Sequence, residues 1–245
     1  MVEEGVMRDP PVDRVLSVHV WPGLPVGTIG VRAGPIFASV DEIALTIEGR
    51  GGHGGMPHLS VDAIAIAAQV HSTLQLIMGR EVAPSQPAVL GFGTIHGGTQ
   101  FNVICERVEM RGNVRCFDEQ VRSQMLGRVR EIASAVVTGL RGRLEFQHVR
   151  GCPAVVNDPE VAQRVAEVGA GVVGEGNVVQ VDPQPVGDDC AYFLKEAPGC
   201  YFLLGIANPD RGITEPLHSP RFDLDEAALP IATHVLAETA LSYLA

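Results

Sequence analysis

Between residues 42 and 149, apolar residues follow either the spacing of a strand or the spacing of a helix. The order in which these two patterns occur constrains the fold of this chain more than any other feature of its sequence. Apolar residues at every second position are typical of half-buried strands, and apolar residues at helical spacing are typical of amphipathic helices. The predicted elements are, in order, strand 42–48, helix 61–78, strands 88–96 and 107–115, a helix beginning after Asp118, and strand 143–149. This is the element order of a ferredoxin-like (β-α-β-β-α-β) sandwich, so the sequence predicts a domain of that kind.

The segments on either side of this sandwich predict a second domain, of the α/β class. Its predicted elements are strand 14–21, helices starting at Asp158 and Asp188, the continuously apolar strand 200–206, and a last helix from about Leu224. A continuously apolar strand is typical of one that is covered on both faces. We therefore expect residues 1–37 and 151–245 to form the two parts of one α/β domain, with residues 38–150 inserted between them.

Composition limits the classes of function that this chain can have. Apolar residues make up 46% of its 245 residues and charged residues 19%, which is a globular balance. A net charge of −11 argues against a phosphate-binding surface, so no nucleic acid partner is expected. The longest apolar run, 200–206, is too short to span a bilayer, and the first residues lack a signal-peptide pattern. Five cysteines without CxxC spacing suit a reducing compartment, so we expect a cytoplasmic protein with no membrane partner.

A glycine-rich stretch at 49–55 joins the first strand of the inserted domain to its first helix, and His53 stands in the middle of it. Glycines adopt backbone angles that are closed to other residues, and they let a chain come close to a ligand or a second backbone. An imidazole presented by glycines is more suited to act on a ligand than to fill a core. Ser60 follows and is predicted to cap the helix.

A second stretch of this kind, residues 97–104, contains Asn102, and Arg115 ends the third strand of the inserted domain. A guanidinium fork and an amide are a suitable pair for binding a carboxylate. Two alternatives stay open. Asn102 could satisfy a turn beside its glycines, and Arg115 could be a solvated charge on a strand.

His19 and His218 are candidate metal ligands of the α/β domain. His19 falls near the carboxyl end of the first strand, where ligands of open α/β sheets gather, and His218 lies in a loop before the last helix. The alternative for His19 is a core histidine bonded to a backbone carbonyl. Zinc or manganese would also need carboxylates or thiolates, and the candidates Asp188, Asp189 and Glu215 show no diagnostic spacing. The two adjacent aspartates also fit a helix cap and an exposed charge.

Taken in order, these motifs resemble the dinuclear-metal aminoacylase and carboxypeptidase family of peptidases. They are most similar to its amidohydrolase branch, which includes hippurate hydrolase and the indole-acetyl-amino-acid hydrolases. The motifs are Leu16-Ser17-Val18-His19-Val20-Trp21-Pro22, Gly51-Gly52-His53 with Pro57-His58, Gly97-Gly98-Thr99 with Asn102-Val103-Ile104, Arg111-Gly112-Asn113-Val114-Arg115, and Leu217-His218-Ser219-Pro220-Arg221-Phe222. The resemblance implies a partial metallopeptidase-type α/β catalytic domain with an inserted ferredoxin-like lid and dimerisation domain.

The resemblance also implies a role for each candidate residue. His19 and His218 would bind the two metal ions, Mn²⁺ or Zn²⁺, with Co²⁺ or Ni²⁺ as alternatives. His53 would stabilise the oxyanion, and in dimeric members of the family this histidine reaches the active site of the partner subunit. Asn102 and Arg115 would bind the carbonyl oxygen and the carboxylate of the substrate. The implied reaction is hydrolysis of an N-acyl amino acid by metal-bound hydroxide, in a homodimer formed through the lid.

The sequence departs from the family pattern upstream of His19. The family has a Cys-x-His ligand motif there and a Glu-Glu pair that supplies the general base and a ligand, and neither is present. We therefore expect a chain that lacks the amino-terminal part of the catalytic domain and has little or no activity by itself. An alternative of another class is a catalytically inactive remnant that serves as a dimerisation or binding module. A complete hydrolase built on Asp188 and Asp189 is a third interpretation.

Overall fold

The structure is a computed structural model that describes residues 1–244. Its strands are β1 (Val15–Pro25), β2 (Ile29–Val31), β3 (Gly34–Phe37), β4 (Asp41–Glu48), β5 (Gly52–His53), β6 (Ala88–Gly97), β7 (Val103–Ile104), β8 (Arg107–Cys116), β9 (Arg143–Arg150), β10 (Val155–Asn157), β11 (Val178–Gln180) and β12 (Gly199–Ala207). Its α-helices are α1 (Ala63–Arg80), α2 (Glu119–Gly139), α3 (Pro159–Val173), α4 (Ala191–Glu196) and α5 (Ala228–Leu241).

The chain divides into two compact units. Unit 1 contains Met1–Phe37, Val155–Gln184 and the residues from Asp188 onward. Unit 2 contains Ala38–Ala154 together with the short segment Pro185–Gly187. The chain therefore leaves unit 2 at Ala154 and returns to it later for three residues.

Unit 1 is built on a four-stranded sheet in the order β1-β12-β2-β11. Strand β12 runs parallel to β1 and antiparallel to β2, and β11 runs parallel to β2. The first eight residues of β12 are buried, which confirms the covered strand predicted at 200–206. Apolar side chains of α3 and α5 pack with Phe202 and Leu204 of this strand. Unit 1 is therefore a mixed α/β structure.

The predicted helix starts of unit 1 are right in one case and displaced in two. Asp158 accepts hydrogen bonds from the main-chain N–H groups of Glu160 and Val161, so α3 begins at Pro159 as predicted. Helix α4 begins at Ala191 rather than at Asp188, because the Asp188 carboxylate instead accepts the N–H of Cys190 in the turn before it. Helix α5 likewise begins four residues after the expected start.

Strand β1 continues beyond the predicted end of strand 14–21. Pro22 and Gly23 do not stop it, because β1 lies at an edge of its sheet, where a missing N–H on the outer side is tolerated. The register of the pairing between β1 and β12 shifts between Trp21 and Pro25, and after the shift Pro25 pairs with Ala207. His19 therefore lies in the middle of a long strand, opposite Leu203, rather than near its end.

Unit 2 is built on a four-stranded antiparallel sheet in the order β6-β8-β4-β9. The elements β4, α1, β6, β8, α2 and β9 follow one another in the predicted order. Ile43, Leu45 and Ile47 are fully buried and pack in one core with the apolar faces of both helices. The alternating side chains of β4 and β8 lie on the opposite, helix-free face, which is rich in charge.

Both helices of unit 2 begin at an aspartate cap. Asp118 accepts hydrogen bonds from two main-chain N–H groups of α2, as predicted. The cap of α1 is Asp62 rather than Ser60, and it accepts from the N–H groups of the second and third helical residues. Ser60 is buried instead, next to Gly52, where a Cβ atom would lie 2.2 Å from the serine hydroxyl.

An ionic cluster is buried at the start of β4. The carboxylate of Asp41 is fully buried and accepts two hydrogen bonds from Arg122, at 2.7 and 2.9 Å. His148 of β9 places Nε2 2.7 Å from the same carboxylate. Arg122 also donates to the carbonyl oxygen of Gly151, just past the end of β9. The cluster thus joins β4, α2 and β9.

None of the helices that the structure describes is long and apolar enough to cross a membrane. Within the same residues, the five cysteines form no disulfide.

Candidate active site

His53 and Asn102 are neighbours in unit 2. Strand β5 pairs with β7 in an antiparallel ribbon in which His53 lies opposite Val103. The ribbon is extended by a 2.8 Å hydrogen bond from the N–H of Gly54 to the carbonyl oxygen of Asn102. The two glycine-containing stretches that the sequence singled out therefore form one structural feature, which we call the His53–Asn102 ribbon.

Close backbone contacts explain the glycines of this ribbon. A Cβ atom on Gly54 would lie 2.9 Å from the carbonyl oxygen of Asn102, and one on Gly49 would lie 2.2 Å from the carbonyl oxygen of Val61. These neighbours are main-chain atoms, which cannot move away without disturbing the fold. The glycines are thus required by the approach of a second backbone.

The ring of His53 is exposed and held in one orientation. The main-chain N–H of Gly55 donates a 3.0 Å hydrogen bond to Nδ1, which must therefore carry a lone pair. In the neutral ring the proton then lies on Nε2. An exposed Nε2–H is a hydrogen-bond donor that can stabilise developing negative charge on an oxygen atom.

Arg115 lies half-buried on β8, where two acceptors fix its guanidinium. Nε donates to the side-chain oxygen of Asn113 at 3.0 Å, and Nη1 donates to the carbonyl oxygen of Pro185 at 2.9 Å. Among the described residues, Nη2 has no protein acceptor, and no hydrogen bond joins Arg115 to His53 or Asn102. The side chain is therefore a cation held by two uncharged acceptors, with part of its donor fork open.

His19 has a defined tautomer in unit 1. Its Nδ1 lies 2.7 Å from the carbonyl oxygen of Val20, so Nδ1 carries a proton, and in the neutral ring Nε2 then keeps a lone pair. The ring stacks on Tyr201 with 6.3 Å between centroids. Tyr201 in turn donates from its hydroxyl to Asp188 at 2.8 Å. Burial, and after it the hydrogen bond to Asp188, raise the pKa of the Tyr201 hydroxyl, which therefore stays protonated.

His218 lies in an exposed loop of unit 1 and has a left-handed backbone conformation, with φ of 65°. Glu215 spans this loop, because its carboxylate accepts from the hydroxyl of Ser219 at 2.9 Å and pairs with Arg221 at 2.8 Å. Glu215 and Asp188, both considered as metal ligands, are thus already engaged in hydrogen bonds. No signal in the sequence marked Glu215 as the residue that holds the loop of His218.

The described residues do not complete a metal centre. His19 and His218 belong to the same unit, but residues 1–244 contain no group of three or more His, Cys, Asp or Glu side chains that could hold a metal ion. Two imidazoles offer fewer donors than zinc or manganese requires in proteins. The two imidazoles could therefore supply only part of the donor set of a metal ion, and the described residues do not supply the rest.

Three cysteine thiols, those of Cys116, Cys190 and Cys200, are poor candidates for a nucleophile. Burial raises the pKa of the thiols of Cys116 and Cys200 to about 12, and it also raises the pKa of the Cys190 thiol. A thiol with a raised pKa remains protonated at neutral pH and is a weak nucleophile. Covalent catalysis by these cysteines is therefore not supported.

Comparisons with known proteins match the mixed α/β fold of the chain. The model of peptidase family M20/M25/M40 matches residues 1–242. The chain therefore belongs to this family of hydrolases.

Individual relatives include several kinds of hydrolase. Thermostable carboxypeptidase 2 of Saccharolobus solfataricus is 35% identical over 99% of this chain and 61% of its own length. N-acetylcysteine deacetylase of Bacillus subtilis is 35% identical over 98% of this chain and 61% of its own length. Among solved structures, a dinuclear metal binding peptidase of the M20 family from Bacillus subtilis has a TM-score of 0.80 and 32% identity, over 99% of this chain and 60% of that one. The chain thus spans about 60% of the length of these proteins.

Proposed function

We propose that this protein acts in the hydrolysis of N-acyl amino acids, as an amidohydrolase of the M20 family. The observation that carries the proposal is the His53–Asn102 ribbon, which joins a histidine with an Nε2–H donor to an asparagine, because the main chain of Asn102 is hydrogen-bonded to Gly54, the residue after His53. The similarity to a deacetylase of N-acetylcysteine supports the N-acyl amino acid as the substrate class.

Three side chains of unit 2 are assigned roles toward the substrate. The guanidinium of Arg115 binds the α-carboxylate through its open donors, and the amide of Asn102 donates to the carbonyl oxygen. When hydroxide adds to the carbonyl carbon, the π electrons of the C=O bond move to its oxygen, and Nε2–H of His53 donates to that negative oxygen. These three groups bind, orient and stabilise the substrate without transferring a proton of their own.

A divalent metal is part of the proposal, as in the dinuclear relative of Bacillus subtilis. His19, with its lone pair on Nε2, and His218 would hold it, and the metal would supply an activated water. Because the described residues do not complete the donor set, the steps assigned to this chain involve protein groups only.

A hippurate-like substrate, with an aromatic acyl group, is the preferred one in this proposal. The side chain next to Asn102 is Phe101, which is 101% exposed. An aromatic ring with no protein contact beside the binding amide is suited to pack against an aromatic acyl group.

Homodimer formation through unit 2 and a cytoplasmic location are also proposed. Strand β6 ends the order of its sheet and exposes Val89 and Ile95, so its outer edge can pair with another strand. Sedimentation of the wild type and of Ile95→Lys tests the dimer, because a charge at this edge should shift the protein toward the monomer.

The odd number of cysteines and the absence of a disulfide among the described residues support the proposal of a cytoplasmic location.

A second candidate function is a catalytically inactive dimerisation or binding module. The absence of a group of three donor side chains in residues 1–244 favours it. The two functions differ in turnover rather than in binding, since both keep the substrate-binding groups of unit 2.

The test compares N-benzoylglycine with N-benzoylglycinamide, which lacks the free carboxylate. Binding to the purified chain is followed by NMR titration, and hydrolysis is followed with added Mn²⁺ or Zn²⁺ and with EDTA. Arg115→Ala should weaken binding of N-benzoylglycine by about tenfold or more and leave the amide within about twofold, because a charge-assisted pair is lost. Equal losses for both ligands would rule out the carboxylate role. Metal-dependent turnover supports the hydrolase, and binding without turnover supports the binding module.

A further inference from the structure

The outward face of β8 carries three arginines in different electrostatic settings. Arg107, Arg111 and Arg115 alternate along this face with Glu109 and Asn113. Arg107 pairs with Glu109 at 2.8 Å and with a glutamate of β4, and Arg111 pairs with another glutamate of β4. Arg115 has no carboxylate partner among the described residues. It is thus the arginine of this face whose charge is not compensated by the protein.

The partners of Arg115 hold it without neutralising it. The side-chain oxygen of Asn113 and the carbonyl oxygen of Pro185 are both uncharged acceptors. Together they occupy two of the five N–H donors of the guanidinium, on Nε and on Nη1. Nη2 and the second N–H of Nη1 remain available to an anion, and they form the planar fork that matches a carboxylate.

We propose that Asn113 is a positioning residue for the substrate carboxylate, because it fixes the Nε side of Arg115 and directs the Nη2 end of the guanidinium toward the ligand. The inference rests on the proposed function, in which Arg115 binds the α-carboxylate. Arginine has large rotamer freedom, and binding to a free side chain would have to remove it. A neutral acceptor two residues away removes that freedom before the substrate arrives and leaves the charge intact.

Binding of a carboxylate by Arg115 should depend on the type of side chain at position 113. An aspartate there would accept the same hydrogen bond, but its negative charge would pair with Arg115 and compete with the substrate. An alanine would leave the charge of Arg115 but remove one of the two acceptors that hold its guanidinium, so the Nε side could move. Both substitutions should therefore weaken binding of a carboxylate, although they act for different reasons.

Binding of N-benzoylglycine by the full chain tests this role. Asn113→Ala and Asn113→Asp should each weaken it by about five- to tenfold, and binding of N-benzoylglycinamide should change by less than about twofold. The matched control is Glu109→Gln, on the same face of β8 but paired with Arg107, which should leave both affinities unchanged. An equal loss for acid and amide, or a loss in the control as large as in Asn113→Ala, would overturn the proposal.

A double-mutant cycle separates positioning from a general structural effect. In an Arg115→Ala background, Asn113→Ala should have no further effect on N-benzoylglycine, because it acts only through the missing guanidinium. Additive losses would overturn the proposal. If Arg115→Ala by itself leaves the affinity for N-benzoylglycine unchanged, Arg115 does not bind the carboxylate and the proposed function is wrong on this point. If Arg115→Ala weakens binding and Asn113→Ala does not, only the positioning role fails.

The state of the guanidinium can also be measured without any ligand. The side-chain Nε–H signal of Arg115 is assigned in a ¹⁵N NMR spectrum by its loss in Arg115→Lys. In the wild type this proton should exchange slowly with water, and in Asn113→Ala it should exchange at least several-fold faster. Circular dichroism shows whether the variant is folded. An unchanged exchange rate in folded Asn113→Ala would overturn the proposal.

Discussion

Nε2 of His148 lies 2.7 Å from the carboxylate of Asp41, which has no exposed surface and also accepts two hydrogen bonds from Arg122. A carboxylate can be buried in this way only because both partners are hydrogen-bond donors. The two residues are 107 positions apart in the sequence, and their contact joins the first and last strands of unit 2, β4 and β9.

Asp41→Asn should destabilise unit 2. The change leaves the guanidinium of Arg122, whose side chain is 2% exposed, without its buried counter-charge, and we expect a loss of about 3 kcal/mol in the free energy of unfolding. Urea denaturation measures it. Glu145→Gln, which removes an exposed partner of Arg143, is the control and should change stability by less than about 0.5 kcal/mol. If Asp41→Asn and Glu145→Gln lowered the free energy of unfolding by similar amounts, burial of the Asp41–Arg122 pair would not explain the loss.

The same carboxylate should make stability depend on acid pH. Burial by itself would raise the pKa of Asp41, but the hydrogen bonds and charges of Arg122 and His148 outweigh it and lower the pKa below the ordinary value of 3.8. A depressed pKa stabilises the folded state above pH 3.8, and the contribution is lost as the pH falls through the folded-state pKa. The unfolding midpoints of wild type and Asp41→Asn should therefore converge below pH 3.8. A constant difference between pH 6 and pH 3 would contradict this.

Gly54→Ala should disrupt the His53–Asn102 ribbon. The added methyl group would lie 2.9 Å from the carbonyl oxygen of Asn102, so the two strands must separate, at a cost of about 1–3 kcal/mol. Binding of N-benzoylglycine should fall as well. Gly79→Ala is the matched control in α1, where a Cβ atom meets nothing within 4 Å, and it should be neutral or stabilising by up to about 1 kcal/mol. Thermal unfolding measures the stability of both variants, and NMR titration measures their binding of N-benzoylglycine.

Phe101→Ala should change the preference for the acyl group. If the exposed ring packs against an aromatic acyl group, affinity for N-benzoylglycine should fall about two- to tenfold, and affinity for N-acetylglycine should stay the same. Leu140→Ala removes an exposed apolar side chain at the end of α2 and serves as the control. Equal losses for the two ligands in Phe101→Ala would argue against an acyl contact.

Much of unit 2 could be predicted because its signals are local. The alternation of Ile43, Leu45 and Ile47 with polar residues is a property of one strand, and burial of these three side chains confirms it. The sequence predicts the cap of α1 two residues too early, because Ser60 and Asp62 carry equally suitable oxygens. The choice depends on tertiary contact, since the N–H of Ala63, the first helical residue, is bound by the carbonyl oxygen of Cys105.

Contacts between individual side chains depend either on proximity in space between distant segments or on residue spacing within one strand. Nothing in the neighbourhood of Asp41 indicates that Arg122 and His148 will reach it. By contrast, Asn113 and Arg115 are two residues apart on one strand, and side chains at this spacing share a face. That spacing was a visible signal for the hydrogen bond between them.

The brief return of the chain at Pro185–Gly187 has a consequence for dissecting the protein. This segment gives unit 2 the carbonyl oxygen that binds Arg115 and the one that accepts the N–H of Ala38. A gene fragment encoding only residues 38–154 would omit both acceptors. Separate expression of the antiparallel unit should therefore graft these three residues onto it, or the excised domain will carry an arginine with one of its two anchors removed.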